Sequence, residues 1–428
     1  MNSTGSANNE AGRGPAASNV SFEKAFRTLH EHIVEIMPKI RHEPVGFIRA
    51  PYLTVTWGTC YAAVYGWDDH FMTLRFAAAG EIVELKNYLT NILTSQEKDG
   101  YVPDIFSEQG ATKLRFHAQP FLAQNAAIYL SLGGDEAFVR EIYPKLSAYL
   151  DYYWQAMHWE KGLCCWPETY MSGIDNEISG TLFPINTMLA ADLNSYLYLE
   201  CKAMKYLADR LGLSAGESEQ RAAKLAEAVN TVLWDEEYGF YGNYNTRTDA
   251  VQLALFRARP DEVGKYSFLS GVAIPVLYAG LASPERAERM VRGYLMNPKH
   301  FLSDYGLRSL SRASEYYNNA VWGNPPRFGN PARLTNSNWQ GPVWVVQNYQ
   351  AILGMLRYGY RDEARLVTER LIRALAAGIE KYGFMRENLD AETGEPLYAD
   401  KFASWNLLAD LLPYFVEGKP PFRNFPGE

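Results

Sequence analysis

The sequence predicts an all-α chain of helical hairpins stacked around one core. Three observations carry that reading. Apolar residues recur at helical spacing over about twelve segments. The segments come in pairs across short turns, while longer loops rich in aromatic and polar residues join one pair to the next. Almost no period-two alternation marks a strand. Six hairpins closing into a ring would set every long loop on one rim. No repeat of fixed period is visible, which excludes tetratricopeptide and ankyrin arrays.

In chain order, the first helix starts at Ser21, with Phe22, Phe26, Leu29, Ile33 and Met37 on one face. Ser21 suits a helix start because its hydroxyl can accept from a free backbone N–H of the first turn. Residues 41–66 contain Pro and Thr and read as irregular. Helices are expected over 67–79 and 82–93, divided by Gly80, and over 117–132 and 136–159, divided by Gly133-Gly134. After a loop over 160–184 come helices 186–211 and 214–234, then Tyr238–Tyr244 as a short strand or hairpin edge. Shorter helices over 269–280 and 283–296 precede the longest irregular stretch, 297–340. Loops of that length are usually functional. Helices over 343–357, 361–379 and 401–415 close the chain, with a loop at 382–399.

Composition removes several classes. A net charge of -8 gives no basic footprint for nucleic acid or an anionic membrane. No run of about 18 apolar residues predicts a membrane span. Residues 1–19 are Ser-, Asn-, Gly- and Ala-rich without an apolar stretch. They read as a disordered tail before a single domain over 20–428, with loop insertions near 160–185 and 297–340. Cys60, Cys164, Cys165 and Cys201 show neither a disulfide framework nor zinc spacing, which fits a reducing, cytoplasmic compartment. His30 and His32 face differently on a helix, so no metal is expected, nor any cofactor. A homo-oligomer is compatible with the sequence.

With 29 Tyr against 20 Phe, the chain favours rings that carry a wet end. The long loops pair such rings with carboxylates. Tyr65-Gly66-Trp67-Asp68-Asp69-His70-Phe71 opens a helix, and Tyr61 lies one helical turn before Tyr65. Ser172-Gly173-Ile174-Asp175-Asn176 and Arg386-Glu387-Asn388, the latter running on to Thr393-Gly394-Glu395, add further acids. Asn338-Trp339-Gln340-Gly341-Pro342-Val343-Trp344 adds rings and amides. Carboxylates hydrogen-bond hydroxyls, and ring faces cover the apolar side of a pyranose, so the combination suits a sugar site. Glycoside hydrolysis needs two such acids, one protonated and one ionised. The plainer alternatives are Asp as a helix cap, Gln119 as a helix-start amide, and solvated loop acids.

The four motifs, in this order, resemble glycoside hydrolase family 63 and, more distantly, the trehalases. The resemblance runs over about residues 52–414. It implies an (α/α)6 barrel, loops capping the active site, and inverting chemistry on the α-glycosidic bond of a small glycoside. By it, Asp175 matches the general acid and Glu387 the general base. Trp67, Asp68, Gln119, Trp339 and Trp344 match the lining of the sugar pocket, and Tyr61, Tyr65 and Gln340 join them as substrate-binding candidates. The chain's length resembles the short bacterial members acting on mannosylglycerate and glucosylglycerate; a trehalase- or kojibiose-type α-glucosidase is the alternative.

A glycerate carboxylate would want a cation from Arg115, Arg308, Arg327 or Arg333. Where the resemblance expects Pro and Arg after the Gly-x-Asp-Asn pattern, this chain has Glu177-Ile178-Ser179, which bears on the leaving-group subsite. Two readings from other classes are weaker. A terpene-cyclase-like enzyme needs an acid where Met72 stands. A non-catalytic sugar-binding protein has no use for both Asp175 and Glu387.

Overall fold

The computed structural model of the chain describes residues 21–58, 63–112, 115–255, 267–323 and 337–425. Its helices are α1 (Phe22–Ile36), α2 (Gly66–Ala78), α3 (Val83–Thr94), α4 (Leu122–Ser131), α5 (Glu136–Ala156), α6 (Ile178–Leu182) and α7 (Ala191–Leu211). They continue with α8 (Ser218–Val232), α9 (Ile274–Tyr278), α10 (Pro284–Met290), α11 (Val345–Arg357), α12 (Arg361–Tyr382) and α13 (Leu412–Val416). A 3-10 segment, Ser404–Leu411, leads into α13.

Burial sorts these helices into two rings. Every residue of α9 and of Ser404–Leu411 is buried, as are all of α2 up to Ala77, α4 up to Leu130 and α11 up to Met355. Helices apolar all round belong in the interior. In α1, α3, α5, α8, α10 and α12 burial is confined to one stripe. Neighbour contacts close the inner ring in the order α2, α4, α7, α9, α11, Ser404–Leu411 and back to α2. Each inner helix follows an outer one in the chain. The architecture is thus the expected (α/α)6 barrel.

Polar side chains on the inner ring are matched across it, as burial without a partner would be costly. His70 of α2 bonds Asn125 of α4 at 2.7 Å. Glu200 of α7 accepts from the backbone N–H groups of Ala123 and Gln124 at the start of α4. Gln350 of α11 donates to Tyr196 of α7 at 2.9 Å. Arg75 of α2 pairs with Asp410 at 2.7 Å, both almost fully buried.

Connections from inner to outer helices are short, for example 79–82 and 132–135. Those from outer to inner helices are long: 37–65, 95–121, 157–190, 233–273, 291–344 and 383–403. All the long loops therefore meet the N-terminal ends of the inner helices, on one rim.

Several expected boundaries move. Helix α4 begins at Leu122 because residues before it run extended, with His117 bridged to Pro103. Helix α7 begins at Ala191, since Met188–Leu189 pairs instead with Tyr244–Asn245. The expected helix over 283–296 is α10 followed by a π-helical turn, Val291–Leu295. Sixteen short strands, which left almost no signal in the sequence, form seven small sheets among the described residues. Most are two residues long, too short to show alternation. The expected edge near Tyr238–Tyr244 is present as Phe240–Tyr241 and Tyr244–Asn245. Cys164, Cys165 and Cys201 are buried and unbridged. Among the described residues no helix is long and apolar enough to cross a membrane.

Candidate active site

The first wall grows from the start of α2. Val64–Tyr65 pairs with Ile105–Phe106, and the Gly66 N–H donates to the Asp104 carbonyl at 2.8 Å. A side chain at Gly66 could not fit, because its Cβ would lie 2.3 Å from an Asp104 carboxylate oxygen. This close approach sets Trp67 and Asp68 in the first turn of an inner helix, both buried at the rim. The helix cap is Tyr65, so the reading of Asp68 as an N-cap does not hold. Asp68 instead accepts a short hydrogen bond from the Ser404 hydroxyl.

The second wall is the loop before α6 and α7. Gln119 donates to the Met171 carbonyl at 2.9 Å, and the Ser172 hydroxyl accepts from the Ile174 N–H at 3.0 Å. Gly173 turns the chain at φ +73° with its α-carbon against the Trp67 ring. Asp175 follows two residues on. One of its carboxylate oxygens accepts from the Ser337 hydroxyl at 3.1 Å and from the Ser337 N–H at 3.3 Å.

The third wall is the stretch 337–344. The Trp339 and Trp344 rings stack at 3.8 Å and 3°. Asn176 locks this stretch to the Asp175 loop: its side-chain oxygen accepts from the Trp339 N–H at 2.6 Å, and its backbone carbonyl accepts from Gln340 at 2.9 Å. Beyond the stack, Val343 bridges Leu389 of the hairpin formed by Arg386–Leu389 and Pro396–Asp400. That hairpin carries Glu387, which is only 4% exposed. Asp175 and Glu387, 212 positions apart in the sequence, thus sit on loops fastened to the two ends of one short segment.

Trp405 closes the aromatic floor, 5.2 Å from Trp67 and 5.9 Å from Trp344 between ring centres. The sequence reading missed Trp405 and Ser404. Their signal was position: both stand where a long loop enters an inner helix. Among the expected residues, Trp67, Asp68, Gln119, Asp175 and Trp339 come together here, with Tyr65 half-buried at the head of α2 and Glu387 on the adjoining hairpin. Two expectations need correcting. Trp344 is fully buried and backs the Trp339 ring, so it is no exposed wall. Gln340 spends its amide on Asn176 and therefore fastens loops. Tyr61, Arg327 and Arg333 lie outside the described residues.

Of the other candidate cations, Arg115 pairs with Glu97 at 2.9 Å. Arg308 is buried against Glu392 at 2.8 Å and also reaches the Tyr317 hydroxyl. Glu177, in place of the expected Pro and Arg, caps α6. It accepts from the Gly180 N–H and from the hydroxyls of Ser179 and Ser270.

Burial dominates the electrostatics. It pushes the Asp68 carboxyl up to about 8, opposed by the Ser404 hydrogen bond and reinforced by the Asp104 and Asp175 carboxylates. Burial likewise raises Asp104 to about 7, opposed by hydrogen bonds from the backbone of Gln119 and Gly66. Below those values both groups are proton-bearing and can donate as well as accept. The Gln119 side-chain oxygen, the Trp405 indole nitrogen and one Asp104 oxygen are buried without a protein partner. Such atoms suit the hydroxyls of a polar guest. Proton-bearing acids, donor and acceptor amides, and ring faces are together the groups that can hydrogen-bond and stack on a sugar.

The class of protein is a glycoside hydrolase, and the family match shows it. Residues 61–405 match the profile of the mannosylglycerate hydrolase MGH1-like glycoside hydrolase domain, and the chain belongs to that family. A glycoside hydrolase family 63 mannosylglycerate hydrolase from Thermus thermophilus, solved with glucose, is similar in fold. Its TM-score is 0.66 at 20% identity, covering 89% of this chain and 99% of that one. The neutral trehalase of Saccharomyces cerevisiae gives a TM-score of 0.62 at 17% identity, over 87% of this chain and 76% of that one. A rhamnosidase from Klebsiella oxytoca with rhamnose bound gives 0.62 at 16% identity, over 95% and 66%.

Proposed function

We propose that the chain hydrolyses the α-glycosidic bond of a small glycoside with inversion. The substrate class is a short α-glycoside, either glucosylglycerate or mannosylglycerate or a disaccharide such as trehalose or kojibiose, met in the cytoplasm. Asp175 delivers a proton to the glycosidic oxygen as the C1–O bond breaks. Glu387 takes a proton from the water that adds to C1 from the opposite face. The products are the free sugar and the protonated leaving group. The observation that carries this reading is the attachment of both acid-bearing loops to the 337–343 segment, Asp175 through Ser337 and Glu387 through the Val343–Leu389 bridge. The buried, unbridged thiols are compatible with a reducing compartment. The test is release of free sugar from mannosylglycerate, glucosylglycerate, trehalose and kojibiose. Binding without turnover of any of them would point to a sugar-binding protein instead.

In this reading Asp68 holds sugar hydroxyls in ground state and transition state alike, with Ser404 fixing its rotamer. Asp68→Asn keeps an oxygen for the Ser404 hydrogen bond but not the titratable carboxyl proton. It is expected to raise KM and lower kcat together, by about tenfold in kcat/KM. Unchanged kinetics would return Asp68 to a structural role. A pH effect on stability accompanies it. The folded pKa lies near 8 against an ordinary 3.8, so the folded chain holds a proton there that the unfolded chain has lost. This contribution therefore falls as pH rises through that window. Denaturant melts of Asp68→Asn should show a shallower decline over the same range.

A further inference from the structure

The hairpin that carries Glu387 is bulged opposite it. Arg386 pairs with Asp400 and Asn388 with Leu397, so Tyr398 and Ala399 together face Glu387. Bulges of this kind re-aim side chains beside active sites. Tyr398 adopts φ +67°, a left-handed conformation in which glycine would be unstrained and a bulky side chain is not. A tyrosine at that strained position points to a use for its ring.

Against Tyr398 stands Trp322, its ring centre 4.6 Å away and its plane turned by 75°. At 56% exposure, Trp322 is the most exposed large apolar side chain among the described residues. Its approach is fixed two residues earlier, where the Asn338 amide donates to the Ala320 carbonyl and to the Asn318 side chain, each at 2.9 Å. Asn338 adjoins Ser337, which holds Asp175. The Trp322–Tyr398 pair therefore spans from the segment that fastens the proposed acid to the strand facing the proposed base. Two cations of these loops, Arg308 and Arg312, both pair with Glu392.

We propose that Trp322 and Tyr398 form the leaving-group subsite, and that it takes an aglycone with a ring face, a second sugar, in preference to a short open-chain one. The proposal rests on the hydrolytic reading above. An exposed indole with a tyrosine ring packed across it offers an apolar face to the C–H side of a pyranose. It offers no such match to a short open-chain aglycone.

The test compares kojibiose and trehalose with glucosylglycerate, and with the α-glycosyl fluorides of glucose and mannose, which keep the sugar but carry no ring beyond the bond. The wild type is expected to cleave one of the disaccharides with a higher kcat/KM than glucosylglycerate. Trp322→Ala should lower the disaccharide-to-fluoride ratio of kcat/KM about tenfold, the worth of one aromatic contact. Trp322→Phe should restore part of it. Tyr398→Gly should lower the same ratio in a protein that still folds, since glycine is at ease at that φ. A wild type that prefers glucosylglycerate, or a ratio unchanged in both the alanine and the glycine variants, overturns the subsite alone. A wild type inactive on both fluorides overturns the hydrolytic reading, and the subsite with it.

Discussion

Asp175→Asn and Glu387→Gln should each lower kcat by about 10³-fold while the melting temperature stays near that of the wild type. General acids and bases usually contribute about 10²–10⁴ each. The two substitutions remove a titratable proton and leave side-chain shape unchanged. In Asp175→Asn the new amide oxygen could still accept from Ser337. Glu387 is buried, so loss of its charge should not weaken the fold. The losses should separate with leaving group. A glycosyl fluoride needs little protonation to depart, so Asp175→Asn should be partly spared on it, and Glu387→Gln should not. The pH–rate profile of the wild type should be bell-shaped, with a limb for each group. Either variant retaining more than about a tenth of the rate would remove that residue from the mechanism.

Gly173→Ala should be nearly as damaging, for a different reason. The Cβ it adds would lie 2.5 Å from the Trp67 ring, and the backbone there is left-handed at φ +73°. The second effect alone costs about 1–2 kcal/mol. The first cannot be relieved by a rotamer change in alanine, so either the loop or the Trp67 indole must shift. Asp175 is two residues along that loop, and a displacement of about 1 Å in a reacting group can cost 10²-fold. The expected result is a kcat loss of about 10²-fold and a lowered melting temperature. Wild-type activity in Gly173→Ala would mean that the Asp175 loop is not held against Trp67 as described.

The ring of hairpins was legible because it depends on long periodic patterns and on which loops are long. The residues proposed for the site were legible where residue type carries the chemistry: Trp67-Asp68 at a helix start, Asp175 after a Gly turn, Glu387 in an aromatic loop. What remained hidden depends on direction and pairing. Trp344 and Gln340 have the right chemistry, yet one lies beneath Trp339 and the other is bonded to Asn176. Trp405 was absorbed into an apparently continuous helical pattern, whereas Ser404 breaks that pattern at φ +30° and lets its hydroxyl reach Asp68. The bulge at Tyr398 is invisible in sequence for a related reason. Its backbone calls for glycine, and the residue there is tyrosine.

The central claim is that Asp175 and Glu387 act from opposite faces of the sugar, with a water between Glu387 and the anomeric carbon. Proton NMR of the first product formed from an α-linked substrate tests it most directly, read before mutarotation. Inversion predicts that the β-anomer appears first and the α-anomer grows in later. An initial α-anomer would mean a covalent intermediate, a second carboxylate about 5 Å from the acid, and a wrong role for Glu387.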